Sequence, residues 1–223
     1  MRSVARFVPG IRSVFGQIEP YTEWWCEQNH QAVSSQGRRW VVIGDSMSLG
    51  IGASAPHESY VGHLLGELNQ REPLGEPWHV INLAMSGAKV ADAIERQVPQ
   101  LRELTEHDHR IDVVTVFIGS NDVIWGLAGT AFREQLRTLI AALPKNTVVI
   151  EVYGMSRRAQ SCNRLLRRLA EEHGMISVNP WSGDRPEGAK LQGSDRFHPN
   201  EHGYRLMSPP ILDAIAAASS LVR

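Results

Sequence analysis

Five short apolar runs, rich in β-branched residues, alternate along this chain with stretches of helical periodicity. Strands that are apolar throughout are typical of sheets buried on both faces, and parallel strands need crossovers long enough to hold a helix. The alternation therefore predicts a three-layer α/β fold with a five-stranded parallel sheet, helices on both faces and right-handed crossovers. The runs are Trp40–Gly44, Trp78–Ala84, Ile111–Ile118, Thr147–Tyr153 and Met175–Val178.

The length of 223 residues suits one sizeable core and is short for two. We expect residues 39–223, which hold all five runs, to form one domain. Residues 1–38 carry too much apolar surface for an unstructured tail, so we predict an N-terminal extension packed on that domain. The alternative is an amphipathic helix on a membrane surface, because Arg2, Arg6 and Arg12 meet no acidic residue before Glu19.

Composition excludes several classes of function. The 23 basic and 24 acidic residues nearly cancel, so no overall field would attract nucleic acid or an anionic membrane. Two cysteines are too few for a disulfide framework, and no uninterrupted apolar run is long enough for an ordinary membrane span. Pro9, Gly10 and Gly16 interrupt what would be the apolar core of a secretory signal. These features favour a cytoplasmic protein that acts on a small molecule.

Polar residues follow the first three predicted strands, where ligands bind in open parallel sheets. Asp45 and Ser46 follow the first strand, and Ser46 could be a nucleophile if another loop supplies a base. Equally, the two side chains could cap the next helix by accepting bonds from its free N–H groups. Asn121 and Asp122 follow the third strand, where Asp122 could be a second catalytic acid or a cap of the local turn.

A carboxylate and an imidazole occur together near the end of the chain. Asp184–Gly193 is rich in glycine, proline and charge, which predicts a loop, and this loop leads to Asp195 and His198. At this spacing the carboxylate can reach the imidazole Nδ1–H, which leaves Nε2 free as a base. Alternatively, His198, which precedes Pro199, could bond to backbone at the start of the last helix.

These residue types together are the parts that acyl transfer needs. Ser46 would attack a carbonyl, His198 would take the serine proton, and Asp195 would stabilise the imidazolium. The Ser46 N–H, the Gly87 N–H and the Asn121 amide could hold the oxyanion. Gly87 suits this role because a residue without Cβ lets the backbone approach a substrate.

Four motifs in this order resemble the sequence blocks of the SGNH (GDSL-type) hydrolases, over about residues 40–207. They are Gly44-Asp45-Ser46-Met47, Ser86-Gly87, Gly119-Ser120-Asn121-Asp122 and Asp195-x-x-His198-Pro199. Met47 stands where the family has leucine, a change of similar volume. The resemblance implies a flavodoxin-like sheet, a triad of Ser46, Asp195 and His198, and an oxyanion hole of Ser46, Gly87 and Asn121.

The function that these residues predict is hydrolysis of carboxylic esters through a serine acyl-enzyme. The same site could instead use thioesters or pass the acyl group to an alcohol. A different alternative is a flavodoxin-like binding or receiver module with Asp45 as its acidic site, but such a module has no need of Asn121 and His198. We expect neither cofactor nor metal, because no set of ligand residues has zinc spacing.

An apolar segment directly after Asn121 could line an acyl pocket or cover the core; it comprises Val123, Ile124, Trp125 and Leu127. No insertion between the motifs is large enough to form a lid, so we predict an open site for short to medium acyl chains. The last helix should begin near Glu201 and break at Ser208-Pro209-Pro210.

Overall fold

The sheet of the computed structural model has five parallel strands in the order β2-β1-β3-β4-β5. This order is the flavodoxin-like one, and the predicted parallel sheet is confirmed. The strands are β1 (Arg38–Gly44), β2 (Trp78–Asn82), β3 (Val113–Phe117), β4 (Thr147–Ile150) and β5 (Ile176–Val178). The structure describes residues 9–71, 75–107, 109–126, 129–154, 156–183 and 190–220, with the side chains of 9–12 excepted.

Helices connect the strands and precede the first one. They are α1 (Pro9–Ser34), α2 (Ser46–Leu49), α3 (Tyr60–Arg71), α4 (Val90–Asp92), α5 (Val98–Glu106), α6 (Ser120–Ile124), α7 (Thr130–Ala141), α8 (Arg157–Glu172) and α9 (Glu201–Ser219). A π-helical turn, Ala93–Gln97, joins α4 to α5, and a 3₁₀ turn, Pro56–Glu58, precedes α3.

Alternate residues of β1, which lies between β2 and β3, point to opposite faces of the sheet and enter two separate cores. Trp40 and Val42 pack with residues of α1, α3 and α9. Val41 and Ile43 pack with residues of α5, α7 and α8. Both cores are therefore built on one continuous apolar strand, which explains why its sequence shows no alternation.

The N-terminal helix α1 packs along the edge strand β2. Its Asn29 amide donates to the Asn82 carbonyl at 2.9 Å and accepts from the Asn82 N–H at 2.7 Å. Tyr21 and Trp25 are buried in the first core. Because α1 satisfies backbone groups of an edge strand, it protects that edge from pairing with another chain.

The membrane-surface alternative for this helix stays a prediction: Tyr21 and Trp25 lie in the protein core, whereas Phe15 is 53% exposed. Of the three arginines in that argument, Arg2 and Arg6 lie outside the described residues. No helix in the described ranges is long and apolar enough to cross a membrane.

The predicted break in the last helix is wrong, because α9 continues through Pro209 and Pro210. The two prolines lack N–H groups, so the carbonyls of Arg205 and Leu206 lose their helical donors. Ile211, Leu212 and Ile215, all beyond the prolines, are buried against the sheet. Burial of this apolar face outweighs the two missing hydrogen bonds and keeps the helix continuous.

We predict that Trp25→Ala lowers the free energy of unfolding by about 3–5 kcal/mol, the usual effect of truncating a buried aromatic side chain. The change also removes the Trp25 Nε1–H bond to the Leu49 carbonyl, 3.0 Å long. Urea unfolding of the full chain measures it. Phe15→Ala, on the same helix but 53% exposed, is the control and should change stability by at most about 0.5 kcal/mol. Equal effects of the two changes would contradict this packing of α1.

Candidate active site

The segment after β1 carries Ser46 at the first position of the short helix α2. Asp45 has an extended backbone, and its Oδ1 accepts a hydrogen bond of 3.0 Å from the Met47 N–H. Asp45 thus caps the helix, which is one of the two alternatives that the sequence left open for Asp45 and Ser46. Ser46 is not used as a cap, and its hydroxyl is available to another partner.

That partner is His198, which lies 152 positions further along the chain. The Ser46 Oγ lies 2.8 Å from His198 Nε2, and His198 Nδ1 lies 2.6 Å from Asp195 Oδ2. The geometry fits an imidazole that donates from Nδ1 to the carboxylate and accepts the serine proton at Nε2. The structure therefore brings together the three side chains that the sequence singled out.

The turn that holds Asp195 and His198 is fixed by backbone hydrogen bonds. The second carboxylate oxygen, Asp195 Oδ1, accepts from the N–H groups of Phe197 at 3.0 Å and His198 at 3.1 Å. Arg196 adopts a left-handed backbone with φ 57°, which is uncommon for a residue with a side chain. Gly193 donates to the His198 carbonyl at 2.8 Å and closes the turn. The carboxylate thus binds both the imidazole and the backbone that carries it.

The three predicted oxyanion donors belong to three neighbouring segments. Gly87 has φ 77°, is exposed, and an added Cβ would meet no atom within 4 Å. Among the described residues, the N–H groups of Ser46 and Gly87 have no hydrogen-bond acceptor. The Asn121 Nδ2 donates to the Ala88 carbonyl at 2.9 Å and makes a longer contact of 3.4 Å with Asp45 Oδ2.

Two buried carboxylates, those of Asp45 and Asp122, form hydrogen bonds with the segments that carry the predicted oxyanion donors. Asp122 Oδ2 accepts from the Val90 N–H at 3.1 Å, which ties α6 to α4. Burial raises the pKa of Asp122, and burial together with the charge of Asp122 raises the pKa of Asp45 to about 7. Asp122 thus binds the backbone at the start of α4, 32 positions away, which differs from the cap of its own local turn that the sequence suggested.

The apolar segment after Asn121 divides between core and surface. Val123 is 6% exposed and packs in the second core, so it does not line a surface pocket as one reading of the sequence predicted. The helical backbone of α6 turns its side chain inward, whereas Ile124 and Trp125 are 47% and 58% exposed. Leu127 lies outside the described residues.

An aromatic residue that the sequence reasoning missed also borders the site. Phe197 is 39% exposed, and its ring packs edge-on against His198 with centroids 4.8 Å apart. Its position directly before His198 is the sequence feature that could have indicated this contact. Neither of two surface cavities of about 190 Å³, one between α7 and α8 and one near Arg38, is lined by Ser46, Asp195 or His198.

Known proteins show which family this fold and site belong to. The sequence model of the GDSL-like lipase/acylhydrolase family matches residues 42–206. The chain belongs to this family, and the predicted class, a serine hydrolase of carboxylic esters, is confirmed. No curated protein sequence matches the chain.

Solved structures share the fold at low sequence identity. The psychrotrophic esterase EstA from Pseudoalteromonas sp. is 22% identical, covers 83% of this chain and 99% of its own, and has a TM-score of 0.63. TesA is 19% identical, with coverages of 81% and 99% and a TM-score of 0.64. A mutant of Axe2, an acetylxylan esterase from Geobacillus stearothermophilus, is 21% identical, with coverages of 81% and 95% and a TM-score of 0.62.

The protein is therefore not a receiver or binding module. The position of Asp45 explains why it could not be the acidic site of such a module. The Asp45 side chain is 1% exposed and is engaged as a helix cap. An acceptor carboxylate of a receiver module has to be reached from solvent.

We predict that Asp45 makes stability fall as pH rises. Its pKa is raised to about 7 in the folded chain, above the value of about 3.9 expected when unfolded, so the folded state holds this proton more tightly. The stabilisation is fully present below about pH 4 and is lost as pH rises through about 7. Asp45→Asn, which keeps an acceptor for the Met47 N–H, removes this dependence.

Urea unfolding at about pH 5 and pH 8 measures the effect, because the difference between wild type and variant cancels the other titrating groups. The variant should gain stability relative to wild type at the higher pH, by an amount on the order of a few kcal/mol. A constant difference between the two proteins across this range would contradict the raised pKa.

Proposed function

We propose that Ser46 is the nucleophile, His198 the general base and Asp195 the orienting carboxylate of an ester hydrolase. The observation that carries this proposal is the continuous hydrogen-bonded row from Ser46 Oγ through the imidazole to Asp195, with distances of 2.8 and 2.6 Å. Both distances lie within the reach required of a nucleophile and its base. Family membership supports the same chemistry.

The reaction proceeds in two halves. Ser46 Oγ attacks the ester carbonyl carbon while His198 Nε2 takes the serine proton, and Asp195 stabilises the imidazolium. Collapse of the tetrahedral intermediate breaks the bond to the alcohol oxygen, which leaves with the proton from His198. Water then attacks the acyl-enzyme and gives a proton to His198, and His198 returns this proton to Ser46 Oγ as the bond to the acyl group breaks and the free acid leaves.

The oxyanion of each intermediate is held by the N–H groups of Ser46 and Gly87 and by the Asn121 amide. The absence of an acceptor for the first two, among the residues described, supports this assignment. Asn121 has two amide hydrogens, and its bond to the Ala88 carbonyl at 2.9 Å uses one. The contact with Asp45 at 3.4 Å is too long to be strong, so the second hydrogen can turn to the oxyanion.

The substrate is a small ester with a short to medium acyl chain. Ile124, Trp125 and Phe197 offer exposed apolar surface beside Asn121 and His198. Such a surface can cover a few methylene groups, but neither described cavity extends the site into a deep groove. Axe2, which is an acetylxylan esterase, shows that this fold can carry the removal of a short acyl group.

We predict that Ser46→Ala abolishes both ester hydrolysis and labelling by a fluorophosphonate. The change removes the only atom that forms the acyl and phosphonyl bonds in this mechanism. Hydrolysis of p-nitrophenyl acetate and peptide mass spectrometry of the labelled protein measure the two effects.

The control is Ser54→Ala, which removes an exposed hydroxyl from the loop that follows α2 and should leave both readouts unchanged. Circular dichroism and the urea midpoint verify that Ser46→Ala is folded. Wild-type activity in the folded Ser46→Ala protein would overturn the proposed function.

We predict that hydrolysis of p-nitrophenyl esters falls steeply beyond about eight acyl carbons. Each methylene covered by apolar surface in the transition state contributes up to about 0.8 kcal/mol, which is nearly fourfold in kcat/KM, and uncovered methylenes contribute nothing. Trp125→Ala should flatten the rise between two and about eight carbons. The series is measured where every ester is soluble, and a maximum at sixteen carbons would contradict an open, shallow site.

A further inference from the structure

Three side chains of α1 bind the backbone of a single turn, residues 49–53, although α1 lies outside the 42–206 stretch that the family model matches. Trp25 Nε1 donates to the Leu49 carbonyl at 3.0 Å, and the Tyr21 hydroxyl donates to the Ala53 carbonyl at 2.7 Å. Gln17 Nε2 donates to the same Ala53 carbonyl at 2.9 Å. The helix therefore fixes this turn through polar contacts as well as through apolar packing.

Gln17 makes a second bond that sets it apart from the other two side chains. Its Oε1 accepts from the Gly52 N–H at 2.9 Å, so one amide satisfies a donor and an acceptor on adjacent residues. Tyr21 and Trp25 each bind one carbonyl only. Among the described residues, Gln17 is the sole partner of the Gly52 N–H, and it controls the orientation of that peptide group.

The turn lies directly against the segment that carries His198. Gly52 has φ 101°, and a Cβ added to it would lie 2.8 Å from His198 Cβ and closer still to the Pro199 carbonyl oxygen. A Cβ added to Gly193 would lie 3.0 Å from the Gly52 carbonyl oxygen. The two stretches of backbone are therefore in contact with no side chain between them, and a shift of Gly52 is transmitted to His198.

The same turn is bonded to the nucleophile segment. The Ile51 N–H donates to the Ser46 carbonyl at 3.0 Å, and the Tyr204 hydroxyl donates to the Ile51 carbonyl at 2.7 Å. Residues 49–53 thus lie between the backbone of Ser46 and the backbone of His198. This turn is therefore in contact with both segments that carry the serine oxygen and the imidazole.

We propose that Gln17 is a positioning residue that holds His198 at hydrogen-bonding distance from Ser46 through Gly52. The proposal rests on the function proposed above, in which this contact starts catalysis. A displacement of about 1 Å between reacting groups can lower a rate by about 100-fold. The N-terminal helix is then part of the catalytic apparatus, although no residue of it touches the reacting atoms.

The test compares two substitutions that each replace an amide with an apolar side chain of similar size. Gln17→Met removes both bonds to the turn. Asn69→Leu is the control, because Asn69 donates to the Trp78 carbonyl at 3.2 Å and accepts from the Trp78 N–H at 2.8 Å. That pair of bonds lies at the amino end of β2, which is the opposite end of the strand from the site.

The readouts are kcat and KM for p-nitrophenyl acetate and the rate constant of inactivation by a fluorophosphonate, at a temperature below all unfolding midpoints. Gln17→Met should lower kcat and the inactivation rate by about 10- to 100-fold with little change in KM. Asn69→Leu should lose comparable stability and keep the wild-type kcat. Gln17→Glu, which keeps the acceptor for the Gly52 N–H, should retain more activity than Gln17→Met.

Two results would overturn the proposal. One is a wild-type kcat in folded Gln17→Met, and the other is an equal loss of kcat in Gln17→Met and Asn69→Leu. Neither result affects the proposed function, which fails only if folded Ser46→Ala remains active. A rise in KM with an unchanged kcat for Gln17→Met is a case of the first result, and it would place Gln17 in substrate binding.

Discussion

The carboxyl end of a parallel sheet leaves backbone N–H and C=O groups without strand partners, and much of this structure follows from how those groups are satisfied. A buried polar group without a partner costs about 1–3 kcal/mol. Here amide side chains provide the partners, because each carries a donor and an acceptor. Gln97 accepts from the Gly44 N–H at 2.8 Å and donates to its carbonyl at 3.0 Å. Asn163 does the same for Val152 after β4.

These amide side chains also hold the strand ends after which the candidate site residues lie. Gln97 is fully buried at the end of the π-helical turn between α4 and α5, and it holds the residue two before Ser46. Turns of this kind occur often at functional sites. The π-helical turn contains one extra residue, and this shift places the Gln97 amide opposite the end of β1. A regular helix would place a different side chain there. The direction in which β1 ends is thus set by a second element and not by the sheet alone.

The sequence predicted the parts of the site that depend on local spacing. Asp195 and His198 are three residues apart, so their contact follows from the geometry of one turn. Ser46 was recognisable because a polar residue follows an uninterrupted apolar strand. The bonds of Gln97 and Gln17 have no such signal, because each joins residues more than 30 positions apart. Nothing in the sequence shows which backbone group a distant amide will meet.

The break predicted at Pro209 and Pro210, which is wrong, and the choice left open for Val123, between an acyl pocket and the core, have the same physical origin. In both cases local propensity was considered without the tertiary environment. In α9, the burial of Ile211 and Ile215 outweighs the two missing hydrogen bonds. In α6, the helical backbone directs the Val123 side chain into the core, whereas Ile124 and Trp125 are exposed. Sequence pattern predicted the number and order of the strands here better than the ends and faces of the helices.

The open site that the sequence predicts places a particular demand on the backbone behind it. Enzymes that close a lid over the substrate can complete their geometry on binding, whereas a site without a lid has to hold it beforehand. The contact between Ser46 and His198 joins residues 152 positions apart, so chain connectivity does little to maintain it. On the proposed positioning role of Gln17, it is maintained instead by close backbone packing at Gly52 and by the hydrogen bonds of residues 49–53. The rigidity that the proposed catalysis requires is then located in the turn that packs against the backbone of His198.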